Sequence, residues 1–253
     1  MALSCTGCFQ MTTVMKLKGD GSGTIDHRML FTTQALAQLR QFAALGGGRG
    51  AIDPTSEQQA REMATALGPG VTYVSSQPVT TATGQGRDAI YAFADVNQLR
   101  VAAQPAPPGG GAIRAPGIDT DAATLTFSLT HEPNGNAVLH INVPEPSLFE
   151  NFGSNSAATQ QLPMFKSMLA GARISLGVEP AGAIVKSTSP FVDGQRVTLL
   201  EVDLDRVLKD SDALIAKLQA ARSNDEMKAI LRETPGLKMT LEREITIEFT
   251  PQK

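Results

Sequence analysis

The chain has 253 residues, 42% of them hydrophobic and 19% charged, enough to bury one large core or two small ones. Its formal net charge of −3, with no cluster of Lys and Arg, argues against nucleic acid as a partner. No run approaches the roughly 18 consecutive apolar residues that span a bilayer, and a chain with no Trp and two Tyr is poorly equipped to stack sugars.

The sequence opens Met1-Ala2-Leu3-Ser4-Cys5-Thr6-Gly7-Cys8, and it contains no further cysteine. A disulfide framework or a cysteine nucleophile within the folded body is thereby excluded. A redox C-x-x-C pair belongs at a helix N-terminus after a strand, where the helix dipole lowers the thiol pKa. Here the pair precedes a strand. A zinc site would need a second pair of ligands, and the three histidines stand far off without ligand spacing. Small residues at Thr6 and Gly7 directly before Cys8 instead match the tail of a bacterial lipobox, although Cys5 stands where such signals carry Leu. Cys8 is the expected lipidation site; the alternative is a cytoplasmic protein in which the two thiols are incidental. The charged and apolar parts of the signal are expected upstream of Met1. A multiply acylated cysteine, at about 0.8 kcal/mol for each buried methylene, would tether the body effectively permanently.

Residues 9–18 and 24–31 are predicted as strands of a hairpin closed by Gly19-Asp20-Gly21-Ser22-Gly23. Thr33 is expected to cap a helix bearing Leu36, Leu39 and Phe42, stopped by Gly46-Gly47-Gly48. A second helix is expected with Asp53 as N-cap, Pro54 first in the helix and Gly68 beyond its end. Its buried stripe would be Ala60, Met63, Ala64 and Leu67. Strands are expected at 71–81 and 87–94, followed by a Pro/Gly-rich loop over 102–118. A second hairpin, 124–131 with 138–143, is carried by the Asn134-Gly135 turn. Residues 147–169 suggest a helix with Leu162, Phe165, Met168 and Leu169 apolar. Strands at 172–178, 184–187 and 196–202 precede two short helices, one capped by Ser211 and one opened by the Ser223/Glu226 capping box. A single long strand over 238–250 is expected to close the chain.

Neighbouring strand pairs with helices between the groups indicate an α+β fold, antiparallel meanders and hairpins with helices packed on one side. The organisation expected is a signal remnant at 1–8, α+β regions at 9–101 and 119–253, and the loop at 102–118 between them. The two regions could form one continuous domain.

Residues 18–29 mimic a calcium loop, but Lys18 and Met29 occupy the positions of its first acid and closing Glu, so a β-turn is the better reading. His27, His131 and His140 fall on strands with no nucleophile or partner acid in register, and no nucleotide or hydrolase signature occurs. Glu201, Asp203 and Asp205 share one strand face that could hold a cation but is more often simply wet; Asp205 could also cap a turn at Val207-Leu208. No enzyme activity, cofactor or metal is expected, and a histidine-dependent hydrolase ranks last among the functions considered.

Gly7-Cys8-Phe9-Gln10 running into a hairpin, residues Gly86 through Phe93-Ala94-Asp95 to Leu99, and the Leu125–Asn142 hairpin with its Asn134-Gly135-Asn136 turn together resemble LppM-type bacterial lipoproteins over roughly residues 7–143. The residues after 145 depart from that pattern, with long helical additions and no C-terminal transmembrane helix. The resemblance implies a cell-envelope lipoprotein with a lipid- or glycolipid-binding body, and it brings no catalytic residues. The expectation is therefore a non-enzymatic protein anchored in the bacterial envelope through Cys8, facing the periplasm or cell exterior. Its body would bind a lipid-like ligand or an envelope partner, with Met63, Leu67, Phe165, Met168 and Leu169 as candidate cleft walls. The alternative is an assembly lipoprotein without a ligand cavity.

Overall fold

The computed structural model describes residues 9–37, 53, 55–82, 84–102, 124–143 and 171–252. The fold is α+β, built on two sheets. The larger has the order β10-β11-β8-β1-β2-β4-β3, with β12 joined to β11; the smaller has the order β5-β6-β7-β13-β9. Their strands are β1 (Phe9–Leu17), β2 (Gly23–Thr32), β3 (Thr72–Thr80), β4 (Gly84–Phe93), β5 (Arg100–Ala102), β6 (Thr124–His131), β7 (Ala137–Asn142), β8 (Arg173–Pro180), β9 (Gly182–Ser187), β10 (Val192–Asp193), β11 (Arg196–Asp203), β12 (Leu237–Met239) and β13 (Glu244–Pro251). The described helices are α1 (Glu57–Ala66), α2 (Leu204–Lys209), α3 (Ser211–Ala220) and α4 (Asn224–Glu233), with a helical turn over 33–37.

Both hairpins form as their turn chemistry demands. Asp20 Oδ1 accepts from the backbone N–H and the hydroxyl of Ser22, and Gly21 takes a positive φ of 85°, so the calcium-loop mimic is a β-turn. Gly135, with φ of 87°, closes β6–β7 in the same manner. Alternation along β1 and β2 turns Met11, Thr13, Met15 and Leu17, with Ile25, His27, Met29 and Phe31, to one buried face. The upper part of that face meets the smaller sheet. Leu17, Ile25, Tyr91, Phe93 and Val178 form one cluster with Phe127, Leu139, Ile141, Ile245, Ile247 and Phe249. Each such side chain, once buried, contributes about 1.5–3 kcal/mol. Helix α1 lays Ala60, Ala64 and Leu67 against this cluster, and Tyr91 donates its hydroxyl to the Ala60 carbonyl at 2.9 Å.

The chain passes from sheet to sheet at sharp corners, as strands do at the corners of packed sheets. Between β8 and β9 only Ala181 intervenes, and its N–H is taken by the Leu17 carbonyl. Gly182 sits where a Cβ would lie 2.0 Å from the Thr250 carbonyl oxygen, so the corner requires glycine.

Several expectations need correction. The closing strand is two strands: β12 pairs with β11 in the larger sheet, β13 with β7 and β9 in the smaller. The break falls at 240–243, where Thr240 leaves the ladder to share a buried hydrogen bond with Ser189. The cap of α1 is Ser56, whose Oγ accepts from Gln59 N–H; Asp53 instead closes a turn onto Thr55. Thr32, not Thr33, accepts from the Ala35 N–H. Helix α3 starts at Ser211 with no side-chain cap bond. The layer across the inner face is a second sheet as well as helices, and β1 runs parallel to β8 in a fold otherwise antiparallel among the described residues. Each sheet takes strands from both sides of residues 102–118. The expected segments 39–48 and 147–169 lie outside the described residues.

Candidate functional site

The inner face of β1 and β2 continues beyond the reach of the smaller sheet. There Met11, Met29, Phe31 and Leu36 form a second buried cluster, fringed by Phe9, Met63 and Ile174. Phe9 lies 6.3 Å from Phe31, ring centre to ring centre. This end of the sheet is where the chain arrives from Cys8, since β1 starts at the following residue.

Between the two apolar clusters lies one polar cross-strand pair. Thr13 and His27 face each other in register, and Thr13 Oγ1 lies 2.9 Å from His27 Nδ1. His27 is 8% exposed, and among the described residues its Nε2 is the buried side-chain polar atom that lacks a hydrogen-bond partner. Burial alone pushes the imidazole from its ordinary 6.5 down to about 4, so the ring is neutral through the physiological range. Strand phase carried a signal that the spacing of residue types did not: His27 alternates with Ile25, Met29 and Phe31 on the inward face.

The other histidines are tied into the scaffold. His131 Nε2 meets the Gly19 carbonyl at 2.7 Å, pinning the β1–β2 turn to the smaller sheet, and His140 Nδ1 meets Glu244 Oε1 at 2.6 Å across β7 and β13. The three carboxylates of β11 and its extension do not converge. Glu201 pairs with Lys238, Asp203 caps α2 and pairs with Arg173, and Asp205 accepts from the Gly171 N–H. The expected cap at Asp205 is therefore supplied by Asp203 instead. Among the described residues no group of three or more His, Cys, Asp or Glu is placed to hold a metal.

The outer face of the larger sheet is wet and charge-paired. Asp88 takes Arg28 in a two-pronged contact at 2.6 Å, Asp26 takes Lys16 at 2.6 Å and Glu179 takes Arg196 at 2.7 Å. A shallow cavity of about 250 Å³ opens beside this row, lined by polar residues such as Ser175, Asp193, Arg196, Glu201 and Lys238 together with Phe191 and Val192. That lining does not suit an acyl chain.

Of the candidate cleft residues, Leu67 is 7% exposed within the core, whereas Met63 is partly buried and touches both clusters. Phe165, Met168, Leu169 and Cys8 lie outside the described residues. No described helix is long and apolar enough to cross a membrane.

No family model matches the chain, and no curated protein matches it. Among solved structures, the chain is similar to the folded domain of LppM from Mycobacterium tuberculosis, determined by NMR, with 10% identity over 100% of this chain and 99% of that one. The TM-score of 0.35 makes this a weak likeness.

Proposed function

We propose that the protein is a bacterial lipoprotein, tethered to the cell envelope through acylated Cys8, whose folded body binds a lipid-like ligand or an envelope partner and performs no catalysis. The observation that carries this reading is the junction of anchor and body. Thr6-Gly7-Cys8 has the small residues of a lipobox, and the next residue, Phe9, already packs on the Met- and Phe-bearing end of the larger sheet. A lipidated Cys8 would hold that end against the membrane surface, and a tether this short restricts which face of the body can be offered to a partner. Two histidines tied to scaffold partners and a third buried between apolar clusters, with no acid beside it among the described residues, support a non-catalytic role, because general acid–base work needs a group within reach of substrate.

A second reading has its own support. Among the described residues the space between the sheets is filled by buried apolar side chains, and the cavity beside β11 is lined mostly by polar and charged residues, which supports an assembly protein acting through its surface over one that encloses a lipid.

The test is metabolic labelling of the native host with a clickable fatty acid. Label should enter the protein, stay when Cys5 becomes Ser and vanish with Cys8→Ser, together with membrane association. Label-free protein in the soluble fraction would remove the proposal.

A further inference from the structure

The Thr13–His27 pair is surrounded by methionines. Met29 follows His27 by two residues on β2, so both project from the same face. Met11 and Met15 flank Thr13 at the same spacing on β1, and the register sets Met11 opposite Met29 and Met15 opposite Ile25. Diagonal neighbours across an antiparallel pair lie about 7–8 Å apart, within reach of long side chains. From the layer above, Met63 of α1 packs against both apolar clusters that border the pair. By register, Met11, Met15 and Met29, three of the nine methionines in the chain, are thus same-face neighbours of one buried imidazole whose Nε2 has no partner, and Met63 packs against the clusters on either side.

Methionine usually fills irregular gaps in a core, and for Met15 alone that would suffice. It does not explain why a histidine is placed among them with one nitrogen unsatisfied, an arrangement that native interiors seldom keep. Ligand chemistry supplies a reason. Thioethers are soft donors that select monovalent copper, whereas calcium and magnesium require oxygen ligands, of which the same-face neighbours of His27 on β1 and β2 offer only the Thr13 hydroxyl. A ligating imidazole typically donates its other ring N–H to an outer partner, which fixes the tautomer. In the tautomer whose Nδ1–H donates to Thr13 Oγ1, the lone pair rests on Nε2.

We propose that His27 Nε2, with thioether sulfurs of Met11 and Met29 and a third from Met15 or Met63, forms a binding site for a soft monovalent cation, Cu(I). Binding in this tautomer releases no proton and involves no change of oxidation state. Access lies at the end of the sheet where Phe9, Met63 and Ile174 are only partly buried.

The experiment uses the full chain carrying Cys5→Ser and Cys8→Ser, so that the thiols do not compete, with Ag(I) as a redox-inert probe. One equivalent should bind, and the His27 Nε2 resonance in a long-range proton–nitrogen spectrum should shift while Nδ1 keeps its proton. The pair Met11→Leu with Met29→Leu preserves side-chain volume and should abolish that stoichiometric binding. Thr13→Val should weaken it by about 10–100-fold, as loss of an outer-shell partner does. Failure of the unmutated methionine set to take up one equivalent would overturn the site, and that result does not depend on any variant folding. So would Ag(I) uptake that leaves the His27 resonances in place, or uptake undiminished in the folded double-Leu protein.

Discussion

Lowering the pH should destabilise this protein through one identifiable residue. In the folded, metal-free chain His27 faces Thr13 across the β1–β2 ladder, with Ala89 of β4 beside it and Leu176 of β8 beyond Thr13. No charged partner offsets its burial, which alone sets its pKa at about 4. Well above pH 6.5 the ring is neutral folded or unfolded, and it contributes no pH dependence. As the pH falls from 6.5 to 4, the unfolded chain takes up a proton that the folded chain cannot, so stability is lost across that window and the loss is complete below it. The gap corresponds to about 3 kcal/mol, a large part of the 5–15 kcal/mol that typically holds a domain folded. Replacing both partners, Thr13→Val with His27→Leu, removes the polar pair without stranding either member. Urea unfolding should be followed by far-UV circular dichroism, since the chain has no Trp to report. Between pH 7.5 and 4 the wild type should lose about 3 kcal/mol more than the double variant, the other titrating groups being common to both. A difference below about 1 kcal/mol would refute a buried neutral ring.

Three further substitutions probe the frame. Ser223→Ala removes the Oγ that accepts from Glu226 N–H at the start of α4 and should cost about 1 kcal/mol, read from the urea midpoint. Gly236→Ala should lower the melting temperature by more than a typical surface change does. Residue 236 has a φ of 87°, and an added Cβ would lie 2.5 Å from Arg206 Cβ and 2.8 Å from the Asp203 carbonyl oxygen. Tyr91→Phe deletes the buried hydroxyl bond to the Ala60 carbonyl and should cost about 1 kcal/mol, with faster amide exchange in α1 as the local signature.

Much of the frame was legible because local chemistry dictates it. The Asp20-Gly21 and Asn134-Gly135 turns are short-range signals, and both closed the expected hairpins. Ser223 with Glu226 also behaved as spaced, although Glu226 reaches the Arg222 N–H in place of the cap residue's own. Long-range pairing was not legible. The parallel contact of β1 with β8 joins Gln10 to Arg173, and no pattern in either strand names the other. The two-residue strand β10 and the three-residue β5 are too short to carry alternation. At α1 both Asp53 and Ser56 have cap chemistry, and the cap bond is made by Ser56 while Asp53 turns onto Thr55. The candidate site was half legible. His131 and His140 are tied to scaffold partners, as strand histidines more often are. The burial of His27 was encoded in its phase along β2, yet its place beside Met11 and Met15 depends on the β1–β2 register.

The envelope proposal rests on Cys8 carrying fatty acyl chains, and the intact mass of the mature protein extracted from its native host tests this most directly. The expected spectrum shows a chain beginning at Cys8, heavier than its polypeptide by a diacylglyceryl group or more, in the detergent phase of a partition. A mass equal to the bare polypeptide, found in the aqueous phase, would contradict it.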